Sequence, residues 1–140
     1  MKILFTLVAL LVMVSCSRSS VLPTITSQQL ECLNKDRAYV QRSVTAAKQT
    51  FSGREADILL FETPEGTIVG YLFEQGECST VLTQIPVDEL EQAETYIAAQ
   101  IKKNYGPMFI TQDNQTYRYY AAQQGANAYL VAQAASASSF

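Results

Sequence analysis

Residues 58–85 read ILLFETPEGTIVGYLFEQGECSTVLTQI, three runs rich in Ile, Val, Leu, Phe and Tyr cut by two short turns. The runs are 58–61, 67–73 and 78–85, and the turns are Pro64-Glu65-Gly66 and Gln75-Gly76-Glu77. Short apolar runs bounded by Gly and Pro read as strands, and connections this short join antiparallel neighbours. In the third run Cys78, Thr80 and Leu82 alternate with Ser79, Val81 and Thr83, the period of two that gives a strand two different faces. The stretch predicts an antiparallel meander, and its flanks must supply the layer that covers one side.

On the N-terminal flank Thr26 and Gln29 fit a capping box, with Ile25 able to staple onto Leu30. Leu30, Leu33, Arg37, Val40, Val44, Ala47 and Phe51 recur at helical spacing. This predicts one helix over 27–50, closed by Ser52-Gly53, with Glu31 and Lys35 paired on its surface. On the other flank Pro86 opens a second helix. Asp88 and Glu91 fit its capping box, Leu90, Ala93, Ile97 and Ile101 form its apolar stripe, and Asn104-Tyr105-Gly106-Pro107 ends it. Three shorter strands follow at 108–111, 116–122 and 126–132, then a small polar tail over 133–140 that reads as disordered.

The expectation is one α+β domain over 26–132 in the order α-β-β-β-α-β-β-β, two helices packed on an antiparallel meander sheet. Leu30-Glu31 and Ala38 recur as Leu90-Glu91 and Ala98, matches that raise an internal repeat without establishing it. The element order is similar to that of small envelope modules such as the outer-membrane assembly lipoproteins and the β-lactamase-inhibitor protein. That likeness concerns the fold and implies no function.

The first sixteen residues, MKILFTLVALLVMVSC, give the address. Lys2 is a positive n-region, and the apolar run 3–14 is too short to span a bilayer but suits a signal peptide over 1–15. Met13-Val14-Ser15-Cys16 resembles the lipobox of bacterial lipoproteins, with Met13 where Leu is usual. The resemblance implies cleavage before Cys16, acylation of that residue and a membrane anchor through it. Ser17, which is not Asp, then implies sorting to the outer membrane, facing the periplasm or the surface, by analogy with enterobacterial lipoproteins. Residues 16–25 would be a polar tether. The competing reading is an ordinary secretory signal, cut near Ser17, and a secreted soluble protein. With Cys16 acylated, Cys32 and Cys78 remain as an even pair in a disulfide-permissive compartment, which predicts a Cys32–Cys78 bridge. Two buried free thiols are the alternative.

Net charge is −3, which argues against nucleic acid as a partner. The charges are segregated. Residues 55–94 carry Glu55, Asp57, Glu62, Glu65, Glu74, Glu77, Asp88, Glu89, Glu91 and Glu94 without a Lys or Arg, while residues 18–54 carry six bases against two acids. Solvated strand edges and a helix N-terminus would account for this, as would a face that meets a cationic partner.

The chain has no His, which removes Ser-His-Asp and Cys-His catalysis and His-bearing metal sites; it also has no C-x-x-C and no Gly-rich phosphate loop. No metal and no cofactor is expected. Carboxylate chemistry survives as an enzyme reading, a cell-wall hydrolase using a pair such as Glu62 and Glu74, although nothing selects that pair. The most suggestive segment is Tyr117-Arg118-Tyr119-Tyr120. Alternation sets Tyr117 and Tyr119 on one face and Arg118 and Tyr120 on the other, and Tyr and Arg are favoured at binding hot spots. A half-buried strand favours Tyr as well. The sequence therefore points to a non-enzymatic envelope protein acting by protein binding, as an assembly factor, accessory subunit or inhibitor. A secreted effector or adhesin is the alternative.

Overall fold

The computed structural model of the protein describes residues 22–135. The expected signal peptide, Cys16 and residues 136–140 of the expected tail lie outside the described residues. Among those described, seven strands form one antiparallel sheet: β1 (Thr50–Glu55), β2 (Ile58–Glu62), β3 (Ile68–Glu74), β4 (Glu77–Ile85), β5 (Met108–Ile110), β6 (Thr116–Gln124) and β7 (Asn127–Ala134). Across the sheet they run β1-β2-β3-β4-β7-β6-β5. Two meanders therefore meet at their last strands, with Leu82 of β4 opposite Val131 of β7. Helices α1 (Ser27–Glu31), α2 (Arg37–Ala46) and α3 (Leu90–Asn104), the last entered through a 3-10 turn over Val87–Glu89, complete the fold. The α+β antiparallel class is as expected; the order is α-α-β-β-β-β-α-β-β-β.

The long first helix is the main correction. Asn34 adopts a left-handed φ of 67° and stops α1, and Asp36 then caps α2 by accepting from the Tyr39 amide at 2.9 Å. The intervening backbone is claimed by the sheet: Asn34 N–H donates to Cys78 O and Cys78 N–H to Lys35 O, both at 2.7 Å. The helical stripe therefore ends early, and Phe51 lies on an extra edge strand, β1, 60% exposed. Lys35 pairs with Asp113 at 2.7 Å, not with Glu31. The expected Asp88–Glu91 capping box is absent, since no side chain caps α3. A bulge near Phe73 and Cys78 also shifts the face of β4, putting Cys78 on the same side as Val81 and Thr83. Finally, β7 continues to Ala134, into the tail expected to be disordered, because its amide row finds partners on β6 as far as Tyr117.

The core is two apolar clusters on one side of the sheet. Under α1 and α2 lie Leu33, Val40, Val44, Phe61, Val69, Tyr71, Phe73 and Val81. Under α3 lie Ile85, Ala93, Ile97, Ala128 and Leu130, with the four stripe residues of α3 packed there as expected. Ile25 touches both clusters and Leu22 the second, so this end of the expected tether is packed structure. A polar network ties α1 to the sheet and to α2. Gln28 Nε2 donates to Ser43 Oγ at 2.9 Å and to Tyr71 Oη at 3.2 Å, and Tyr71 Oη donates to Gln49 Oε1 at 2.9 Å. Every buried polar group so paired escapes the cost of desolvation without a partner.

Candidate functional site

Cross-strand partners share a face, so the register sorts the sheet into two sides. One row, Leu59–Tyr71–Val81–Ala132–Tyr119, faces the helices. The next, Gly53–Leu60–Gly70–Leu82–Val131–Tyr120, faces away from them, as does Glu55–Ile58–Leu72–Thr80–Gln133–Arg118. All core contacts of the three helices are on the first side, and among the described residues no helix packs on the second. That open face is nevertheless apolar through its middle. Leu82 and Val131 are almost fully buried there yet belong to neither core cluster. Gly70 shows how: a Cβ at that position would stand 3.2 Å from Ile58 Cγ2 and Leu82 Cδ1 and 3.3 Å from Leu60 Cδ2, so these side chains close over the glycine. Ile58, Leu60, Leu72, Tyr120 and Tyr129 form a half-buried surface around them.

The tyrosine strand divides as its alternation requires. Arg118 and Tyr120 are on the open face, where Tyr120 Oη donates to Gln133 Oε1 at 3.5 Å. Tyr117 and Tyr119 are turned under the helices. Tyr117 is 8% exposed and stacks on Phe109 with centroids 5.6 Å apart, and Tyr119 meets the same ring edge-on. Burial pushes the Tyr119 hydroxyl up to about 12, with Tyr96 and Tyr117 adding to it. Tyr96, Tyr117 and Tyr119 line a neutral cavity of about 180 Å³ together with Ile25, Leu30 and Ala132, in the seam between the two core clusters. The four residues therefore do not form one binding surface: half support the core and half face outward.

Cys32 and Cys78 are both free thiols, fully buried in the larger cluster. The expected bridge is not made; each sulfur instead donates to a backbone carbonyl, Cys32 to Gln28 at 3.4 Å and Cys78 to Thr80 at 3.5 Å. Burial raises the pKa of both, leaving them poor nucleophiles. Glu62 and Glu74 are on the open face but at opposite ends of β3's ladders, Glu62 opposite Ile68 and Glu74 opposite Glu77. Six residues of strand separate those positions, about 20 Å, well beyond the spacing of a glycosidase pair. Among the described residues no cluster of three or more acidic or thiol groups could hold a metal ion, and no helix is long and apolar enough to cross a membrane.

Sequence reasoning missed the open face because it depends on which strands pair. Its charges follow a simple rule once the faces are known. Glu55, Glu62, Glu74 and Glu77 are all on the open side, so the acid-rich middle of the chain gathers several of its charges onto a single surface. Glu55 of the edge strand also helps burial raise the Tyr129 hydroxyl on β7, so the sheet coils enough to bring those groups near each other. No family model, curated protein or solved structure matches the chain.

Proposed function

We propose that this is an exported protein, held at the bacterial outer membrane by acylation of Cys16, that works by binding another protein through the open face of its sheet. The address rests on the n-region, apolar run and Met13-Val14-Ser15-Cys16 of the sequence. Acylation fits that role, since more than one buried chain gives stable anchoring. The observation that carries the binding reading is the half-buried apolar set Ile58, Leu60, Leu72 and Tyr120 on the side of the sheet away from the helices, around the buried Gly70, Leu82 and Val131. An antiparallel sheet facing water normally alternates to polar residues on its solvent side. Contiguous apolar surface in that position marks interaction sites.

Two measurements test the proposal. Intact mass and detergent partitioning, beside Cys16→Ser, should show a chain starting at Cys16 with added acyl mass that the variant loses. A soluble chain starting near Arg18 would refute the anchor. For the binding face, a photo-reactive benzoylphenylalanine at Tyr120 should give a protein adduct in the cells that make the protein, while the same group at Arg42 on α2 should not. Adducts only from Arg42 would move the site to the helical side, and none from either would end the reading.

A further inference from the structure

The open face differs from the rest of the molecule in the sign of its charge. Glu55, Glu62 and Glu77 stand on its β1–β4 flank, exposed, and none is in an ion pair among the described residues. Among the described residues the cation of the face is Arg118, on β6, at the far end of the row that starts with Glu55. Other cations are on the helical side or its loops: Arg37 covers Phe73 there at 4.7 Å, Arg54 is opposite the helix-facing Leu59, and Lys102 and Lys103 end α3.

An apolar surface with an acidic flank selects among occupants. An anionic lipid surface would be repelled by the three glutamates. A second copy would bring three more of these glutamates and only one more Arg118, a net excess of acid on both sides. A segment with cations beside its apolar side chains matches in both respects. Resting on the protein-binding reading above, we infer that the partner presents a basic, apolar segment. Its apolar side chains seat over Leu60, Leu72 and Tyr120, and its lysines or arginines turn toward Glu55 and Glu62.

The cross-linking experiment tests this with charge variants carrying benzoylphenylalanine at Tyr120. Glu55→Gln with Glu62→Gln removes two exposed rim charges and should lower adduct yield about 3- to 10-fold, with the loss shrinking as salt is raised. Arg118→Glu should raise adduct yield, because it replaces a cation of the face with another acid facing a basic segment. Far-UV circular dichroism of the variants confirms folding, and the partner peptide bearing the cross-link should have an excess of Lys and Arg. An adduct at Tyr120 that ignores the double Gln variant, that strengthens in it, or that maps to an acidic peptide overturns the inference while leaving the binding reading in place. Absence of any adduct at Tyr120 removes both.

Discussion

Replacing Gly70 with Ala should destabilise the protein, although two effects compete. Gly70 is not among the residues with positive φ, so its backbone suits any L-residue. Removing glycine's freedom from the unfolded chain would then stabilise by about 0.4–1 kcal/mol. Against this, the new methyl meets three side-chain carbons at 3.2, 3.2 and 3.3 Å, inside the roughly 3.5–4.0 Å at which carbons rest together. Ile58 and Leu60 are half-buried and can shift; Leu82, 2% exposed, cannot do so without displacing its neighbours. Overpacking of this kind costs about 1–3 kcal/mol, so the net loss should be about 1 kcal/mol, or about 4 °C in Tm. Urea unfolding of Gly70→Ala, Leu60→Ala and the double variant measures it. Leu60→Ala removes one of the three clashing carbons, so the cost of Gly70→Ala should shrink in its presence by about 0.5 kcal/mol or more. A Gly70→Ala protein as stable as the wild type, with effects that simply add, would refute the claim that side chains close over this glycine.

Tyr71→Phe should cost about 1–2 kcal/mol in the same assay, because Gln49 Oε1 loses its donor while Gln28 keeps Ser43; an unchanged midpoint would mean water replaces the hydroxyl. Tyr105 holds a left-handed φ of 59° with its ring 98% exposed, so Tyr105→Gly should stabilise α3 by about 0.5–1 kcal/mol and Tyr105→Ala should not. A thiol reagent at pH 8 should find no reactive group at Cys32 or Cys78 in the folded protein and both after denaturation without reductant; a disulfide in the denatured sample would contradict the free pair. Burial raises the pKa of both thiols and of Tyr71, Tyr117, Tyr119, Tyr120 and Tyr129. The unfolded chain therefore loses these protons first. Stability should be complete below the ordinary thiol value of 9.0 and fall as pH rises from there toward about 12, where Tyr119 titrates when folded. Denaturant midpoints equal at pH 8 and 10.5 would refute this.

The features of the fold that were legible in the sequence are local. Gly66 and Gly76 have φ of 86° and 81°, a conformation glycine reaches without a Cβ clash, so the β2–β3 and β3–β4 turns could be placed before any contact was known. The stripe of α3 and the opposite faces of Tyr119 and Tyr120 follow from periods of 3.6 and 2 along one element. The break at Asn34 and Asp36 has a signal, Asn followed by a capping Asp, but it sits within a helical periodicity interrupted only by Arg37. Strand β1 had almost none, because Thr50–Glu55 is exposed nearly throughout and is held by its pairing with β2.

The candidate site is nonlocal. Alternation separates Leu60 and Leu82 from Leu59 and Val81 but cannot say which set the helices will cover, since either would make an apolar face. That choice depends on β4 meeting β7, on the bulge between Leu72 and Phe73, and on Gln28 of α1 reaching Tyr71. The chain therefore specifies its turns, its helices and the two sides of each strand through interactions a few residues long. Which side became core, and which was left as an apolar face edged by glutamates, was settled only where distant strands paired, because burial is a property of the assembled sheet.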